Sequence, residues 1–190
     1  MNIILKESIS SHIKVIEFLL KDEQYLNSVN LAIKALVKSC KNNHHILIFG
    51  NGGSASDANH FSAELVCTFK KKNRKAINCI YLTSNTSILT AWGNDKDFDD
   101  CFARQISAFN GNKVICIGIS TSGKSKNIVK GLKEAKKNGF KTIALIGSSS
   151  EIIKKYSDII ISIKAKDTDR IQEAHLFTYH FLCQEIEKQI

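Results

Sequence analysis

The sequence predicts an α/β fold, in which a five-stranded parallel sheet is flanked by helices and follows an N-terminal helical segment. Five short runs rich in Ile, Val and Leu alternate with segments of helical periodicity, and parallel sheets covered on both faces produce that alternation. Before the first run, apolar side chains recur at helical spacing through about 40 residues. The 190 residues, 43% of them hydrophobic, suit one domain spanning residues 1–190.

The elements follow in order along the chain. The N-terminal helical segment, residues 1–42, carries two apolar stripes: Leu5, Ile9, Ile13, Ile16 and Leu20, then Leu26, Val29, Ile33, Leu36 and Cys40. The expected strands are Ile46–Phe49, Ile77–Leu82, Val114–Ile119, Thr142–Ile146 and Ile159–Ile163. Helices are expected near residues 55–69, 86–109, 125–138 and 149–156, and from about Thr168 to the end.

Composition excludes several classes of function. The net charge is +9, but only three of the 27 cations are arginine, the residue that reads base edges and phosphates best. The dense cluster at residues 70–75 lacks aromatic side chains, so we expect a solvated loop and no nucleic-acid partner. No apolar run could span a membrane, and the N-terminus does not resemble a signal peptide. The six cysteines form no CxxC pair, which favours reduced, buried thiols in the cytoplasm.

The loop after the first strand is rich in glycine. The segment Gly50–Asp57 loosely fits the dinucleotide pattern GxGxxA, in which glycines let the backbone approach a ligand at a helix N-terminus. A nicotinamide site also needs an acid at the end of the second strand, and that strand ends at Leu82-Thr83. The loop therefore indicates an anionic ligand more than a dinucleotide.

The loop after the third strand has two functional interpretations. Gly118–Ser125 matches the P-loop pattern GxxxxGK[ST], yet no neighbouring strand ends in the acid that would hold magnesium. The hydroxyls around this helix start would also hold a phosphate monoester without a nucleotide, and simple helix capping would use one of them. The hydroxyl residues are Ser120, Thr121, Ser122 and Ser125.

Two predicted helices carry side chains that suit a metal or acid–base chemistry. His60 and Glu64 lie one turn apart on one helix, while Gln172 and His180 lie on one side of the last helix, about 12 Å apart along its axis. Such N and O donors suit zinc or a similar divalent ion, although a surface hydrogen bond explains the first pair as simply. His175 lies off that line, and we expect it in the core or at an interface.

Together these segments resemble the SIS-domain sugar isomerases, and most closely the phosphoheptose isomerases. The matching blocks run in order over about residues 48–184: Gly50–Glu64, Thr86–Asp95, Phe102–Gln105, Gly118–Ser125 and Arg170–His175. GNGGSASDA followed by HF and AE is highly specific, whereas STSG marks only the wider superfamily. The resemblance implies a SIS-type, Rossmann-like sandwich. It also implies conversion of sedoheptulose 7-phosphate to D-glycero-D-manno-heptose 7-phosphate through an enediol, the first step of ADP- or GDP-heptose biosynthesis for lipopolysaccharide or capsule.

The resemblance also assigns roles to residues. It implies that Glu64 and His180 are the catalytic acid–base pair, and that one zinc ion per subunit is held by His60, Glu64, Gln172 and His180. The implied substrate-binding residues are Asn51, Gly52, Gly53, Glu64, Asn94, Asp95, Ser120, Thr121, Ser122, Ser125 and Gln172. A homotetramer with shared sites is implied as well, with the segment 1–42 packing in it.

The chain departs from the family pattern at three places. Relatives usually have Gly-Arg where Cys67-Thr68 stand, often Asp at Asn85, and often Asn-Ser-Pro at residues 124–126. These departures concern the identity of the sugar more than the fold. Two other functions remain open from the sequence: a non-catalytic relative that binds the bacterial replication initiator, although such proteins lack the equivalents of Glu64 and His180, and a P-loop nucleotide enzyme.

Overall fold

The N-terminal segment forms two helices whose apolar stripes have different surroundings. This computed structural model describes residues 3–109, 111, 113–147 and 150–190, and its first helices are α1, Ile3–Lys21, and α2, Glu23–Lys41. The chain turns at Asp22, whose Oδ1 accepts hydrogen bonds from the N–H groups of Gln24 and Tyr25 and so caps α2. The α2 stripe is mostly buried within this chain, whereas most of the α1 stripe is exposed.

The remaining elements alternate as the sequence predicts. They are β1 His45–Gly50, α3 Gly53–Val66, β2 Cys79–Tyr81, α4 Thr86–Asp95, a 3-10 helix Phe98–Asp100, α5 Cys101–Ile106, β3 Val114–Ser120, α6 Lys126–Lys137, β4 Lys141–Ile146, α7 Glu151–Tyr156, β5 Ile159–Ser162 and α8 Thr168–Gln189. All five strands pair in parallel in the order β2-β1-β3-β4-β5. The prediction of a five-stranded parallel sheet flanked by helices is confirmed.

The sheet separates two apolar layers. One contains α2, α3 and α8 on the side chains of Ile46, Ile48 and Ile117. The other contains α5, α6 and α7 on Leu47, Phe49 and Cys116, which are the alternate residues of the same strands. Because both faces are covered, β1 is buried from Ile46 onward and β3 along its whole length, and both strands are mostly apolar in sequence. Among the described helices, none is long and apolar enough to cross a bilayer.

Some predicted boundaries differ from those observed. The single helix expected over residues 86–109 is interrupted, because the side chain of Asp97 accepts a hydrogen bond from the N–H of Asp99 and starts a new turn. The strand expected over 77–82 is ladder-paired only at Cys79–Tyr81, at the sheet edge. The expected start of a helix at residue 149 and the first two residues of the segment 1–42 lie outside the described residues.

Strand order places a crevice between β1 and β3. The connection from β1 leads to its neighbour β2 on one side, while the connection from β3 leads to β4 on the other. Ligands of open α/β sheets bind at such a reversal, beyond the carboxyl ends of the strands. The loops Gly50–Gly53 and Ser120–Ser125 leave the sheet there, and each leads into a helix N-terminus.

Candidate active site

The loop after β1 contains glycines at positions where a side chain would clash or would strain the backbone. A Cβ on Gly50 would lie 2.3 Å from the carbonyl oxygen of Ser54, and Gly52 has a φ of +53°. A Cβ on Gly53 would lie 2.1 Å from Nε2 of Gln172. Glycine therefore allows the first turn of α3 to begin close to the strand end and to the side chain of α8.

A pair of amides joins this loop to the start of α6, the helix that follows the loop Ser120–Ser125 (the phosphate loop). Nδ2 of Asn51 donates to Oδ1 of Asn127, and Nδ2 of Asn127 donates to Oδ1 of Asn51, both at 2.8 Å. Asn127 lies in the first turn of α6 and is 3% exposed. Sequence reasoning missed Asn127, because no local pattern pairs residues that are 76 positions apart.

The loop after β3 gathers hydroxyls at the N-terminus of α6. Oγ of Ser120 lies 3.2 Å from Oγ of Ser125 and 3.5 Å from Oγ of Ser122, and it accepts a hydrogen bond from the N–H of Gly123. Thr121 is held by its carbonyl, which accepts from the N–H of Gly147 at the end of β4. Converging hydroxyls and a helix N-terminus form a site suited to a phosphate dianion.

Helices α3 and α8 lie side by side and run in the same direction. Gly53 meets Gln172 at their beginnings, and a hydrogen bond of 3.0 Å joins His60 Nδ1 to Tyr179 Oη farther along. This pairing brings His60, Glu64 and His180 together, with one potential ligand atom of each within 4.8 Å of the others. The residues that helical spacing indicated on α3 and on α8 therefore meet in one cluster, which consists of His60, Glu64 and His180.

The donor set of this cluster suits a divalent ion. Two imidazoles and one carboxylate are ligands that zinc accepts, and Nε2 of His180 is buried with no hydrogen-bond partner in the described chain. His60 Nε2 lies 3.2 Å from Glu64 Oε1, while its Nδ1 contacts the Tyr179 hydroxyl. When Nδ1 carries the proton, it donates a hydrogen bond to the Tyr179 hydroxyl oxygen, and Nε2 is free to bind a metal, which is how metal-binding histidines are usually oriented.

The other predicted residues lie at the edges of the cluster. Gln172, the fourth predicted ligand, lies against Gly53, about two turns of α8 before His180. Asn94 and Asp95 end α4, and their side chains contact each other at 2.8 Å. Among described residues, no hydrogen bond joins either side chain to the two loops or to the cluster. His175 is fully buried in the core, as expected, and burial lowers its pKa to about 4.

Burial shifts the pKa values of two groups in the site. The pKa of His180 lies below its ordinary value, chiefly because of burial and then because of the nearby His60. Burial also raises the pKa of Asp57 to about 6, although His60 opposes the shift, and Asp57 Oδ2 has no partner in the described chain. Asp57 was missed in the sequence, although it stands three residues before His60 and seven before Glu64 on the same helical face.

The three departures from the family pattern are all at the surface. Cys67 and Thr68 are exposed just beyond α3, and Lys124 is exposed in the phosphate loop. Asn85 caps α4, where its Oδ1 accepts a hydrogen bond from the N–H of Ile88. An Asp at this position would cap the helix equally well, so helix capping alone explains why Asn85 is tolerated where relatives often have Asp.

Comparison with known proteins identifies the family of the chain. The family model described as SIS domain matches residues 12–147. A phosphoheptose isomerase of Clostridium acetobutylicum is 39% identical over 186 residues, covering 98% of this chain and 94% of that protein. One from Helicobacter pylori is 40% identical over 183 residues, covering 96% and 90%. The chain belongs to the phosphoheptose isomerase family of SIS domain proteins. A solved phosphoheptose isomerase from Francisella tularensis superposes with a TM-score of 0.91 at 30% identity, covering 97% of this chain and 96% of that one.

Family membership also decides between the functional alternatives. The chain is an isomerase, and the comparisons favour this over a P-loop nucleotide enzyme or a protein that binds the replication initiator. The SIS-type fold expected from the resemblance is confirmed at the same time.

Proposed function

We propose that this isomerase interconverts sedoheptulose 7-phosphate and D-glycero-D-manno-heptose 7-phosphate. The observation that carries the proposal is the convergence of Glu64 and His180, two acid–base groups from different helices, on helices that begin at the ligand crevice. The names of the relatives support the choice of a phosphorylated heptose. Its product would supply heptose for a surface polysaccharide, either lipopolysaccharide or capsule.

The reaction moves one proton between two adjacent carbons. In our proposal the Glu64 carboxylate removes the proton from the carbon beside the ketone, which gives an enediol, and returns it to the neighbouring carbon. His180 exchanges the proton between the two oxygens, and the lowered pKa of its imidazole keeps it neutral and able to accept. No atom is gained or lost, so the pair needs no further reactant.

Substrate binding is assigned to the two loops and their neighbours. The hydroxyls of Ser120, Thr121, Ser122 and Ser125 would hold the phosphate at the N-terminus of α6. We assign the sugar hydroxyls to a second group of residues: Asn51, Gly52, Gly53, Asn94, Asp95 and Gln172. The amide pair between Asn51 and Asn127 supports this division, because it fixes the two loops relative to each other.

We also propose a zinc ion bound at the same cluster. His60, Glu64 and His180 would hold it, and Gln172 remains the proposed fourth ligand although it lies two turns away within its own chain. Bound zinc would stabilise the negative charge that develops on the enediol oxygens. Glu64 and His180 would then be both ligands and acid–base groups, and these two roles compete for the same atoms.

A homotetramer in the cytoplasm completes the proposal. Its support is the apolar surface of α1, where Ile3, Ile4 and Leu20 are each more than 70% exposed. Large apolar side chains left in water along a helix are typical of a surface that another protein covers. Light scattering on the purified protein tests it, and a monomer at micromolar concentration would contradict it.

The activity is tested by incubating the protein with sedoheptulose 7-phosphate, with and without a chelator, and following the aldose by NMR. Glu64→Gln and His180→Ala should each abolish turnover while the circular dichroism spectrum stays unchanged. Glu185→Gln is the matched control, because Glu185 is a partly exposed residue of α8 whose carboxylate pairs with Lys188. Near-normal turnover in either site variant would refute the acid–base role of the replaced residue. Absence of turnover in the wild type would exclude sedoheptulose 7-phosphate as the substrate.

A further inference from the structure

A buried carboxylate at the end of α8 holds the basic loop that follows α3. The side chain of Glu187 is 3% exposed, and it accepts hydrogen bonds from three successive backbone N–H groups: Phe69 at 2.8 Å, Lys70 at 2.7 Å and Lys71 at 3.0 Å. The sequence indicates only a solvated loop here, and the lysine side chains are indeed exposed. The backbone of that loop is nevertheless fixed by one carboxylate.

Arg74 connects this carboxylate to the end of α3. Its side chain is 2% exposed, and its Nε donates to Oε1 of Glu187 at 2.6 Å. Its guanidinium also donates to the carbonyl oxygens of Glu64 at 2.5 Å and Leu65 at 2.8 Å. One ion pair therefore joins the last turn of α3, the loop and the last turns of α8.

The same loop places an aromatic ring on the imidazole of the active site. The ring of Phe69 stacks on His180, with centroids 5.3 Å apart and planes inclined by 24°. Glu187 binds the N–H of Phe69 itself, so the position of that ring depends on the carboxylate. Stacking against a ring restricts how far His180 can rotate toward solvent.

We propose that Glu187 and Arg74 are positioning residues for the isomerisation, acting through Phe69 on His180 and through the end of α3 on Glu64. The inference rests on the proposed catalytic roles of Glu64 and His180. Within the described part of the chain, no hydrogen bond joins Glu187 or Arg74 to the loops Gly50–Gly53 and Ser120–Ser125. They therefore set the geometry of proton transfer and not the binding of phosphate. A displacement of the acid–base groups should therefore lower kcat while leaving KM nearly unchanged.

The kinetic test uses a graded set of variants. Phe69→Leu removes the ring, whereas Phe69→Tyr keeps a ring at this partly buried position. We expect Phe69→Leu and Glu187→Gln to lower kcat roughly tenfold or more with KM changed less than about twofold, and Phe69→Tyr to retain kcat. The matched control is Glu185→Gln, the same substitution two residues earlier on α8, where the carboxylate is partly exposed and pairs with Lys188. Equal loss in Phe69→Leu and Phe69→Tyr, or a rise in KM instead of a fall in kcat, would overturn the proposal.

A second readout does not depend on activity. The stacked ring of Phe69 shields the carbon-bound protons of the His180 imidazole, and these can be followed by NMR in histidine-labelled protein. Phe69→Leu should move those resonances downfield, Glu187→Gln should move them in the same direction, and Glu185→Gln should leave them in place. If Glu187→Gln leaves them in place, the positioning role is refuted. If the His180 resonances move as expected while His180→Ala remains active, the catalytic role of His180 is refuted. The positioning of His180 by Glu187 through Phe69 would still be supported.

Discussion

Replacing Arg74 with Met should lower the free energy of unfolding by roughly 3–5 kcal/mol at pH 7, the usual cost of removing one partner from a buried ion pair. The change leaves the Glu187 carboxylate buried beside the loop without its cation, and it leaves the carbonyl oxygens of Glu64 and Leu65 without their donor. For a chain of this length, the melting temperature should fall by roughly 6–20 °C.

The acid titration of Glu187 gives an independent measure of the same energy. Burial alone would raise its pKa, but Arg74 and the three backbone N–H groups outweigh burial and hold the pKa at about 2, against an ordinary value of 4.5. This shift corresponds to about 3 kcal/mol of stability at neutral pH. The contribution is complete above pH 4.5 and is lost as the pH falls toward 2, because the unfolded chain binds the proton first.

The assay is urea unfolding of wild type and Arg74→Met at pH 7, pH 4 and pH 3. The difference in free energy of unfolding between the two proteins should shrink as the pH falls. Protonation of Glu187 in acid breaks the ion pair of the wild type, and Arg74→Met has already lost that ion pair. Lys75→Met, in the same loop but exposed, is the control and should change stability by less than about 0.5 kcal/mol. A loss below about 1 kcal/mol in Arg74→Met, or a difference independent of pH, would refute this account of the ion pair.

Three further outcomes follow from the site. Asp57→Asn should raise the melting temperature more at pH 7.5 than at pH 4.5, because a carboxyl whose pKa is raised to about 6 costs stability as it ionises above its ordinary 3.8; an equal effect at both pH values would contradict this. Asn127→Ala should cost about 1–3 kcal/mol of stability, by leaving the Asn51 amide unpaired, and should raise KM for the sugar phosphate. Dialysis against a chelator should abolish turnover, and added zinc should restore it; full activity in metal-free protein would exclude the proposed ion.

The order of elements could be predicted because each depends on residues that are close in sequence. A central strand such as β3 is buried at every position, and it is apolar up to Ser120 at its end, since both faces of the sheet are covered. The break after α4 depends instead on one side chain, because Asp97 competes for the backbone N–H of Asp99 within a pattern that is otherwise helical. Periodicity averages over many residues and does not register a single competing hydrogen bond.

The site was predictable to the extent that its residues share a helix. His60 and Glu64 were found from their spacing, and Asp57 could have been found in the same way. Asn127 and the ion pair between Arg74 and Glu187 could not, because their partners are 76 and 113 residues away. In each case a polar residue in a charged or capping context is buried only because the fold brings a complementary group to it.

The two N-terminal stripes show what periodicity leaves undetermined. Both have the same helical spacing, yet Val29 and Leu36 of α2 are at most 4% exposed, while Leu5 and Leu20 of α1 are 56% and 73% exposed. An amphipathic pattern predicts that a face is covered, but it does not indicate whether the cover comes from the same chain. Burying a large aliphatic side chain gains about 1.5–3 kcal/mol of free energy, and a side chain left in water lacks this gain. A stripe of this length therefore favours association with another surface. The exposed Phe177 and Leu176 of α8 line the groove beside α1 together with His180, so a second copy seated there would also enclose the active site.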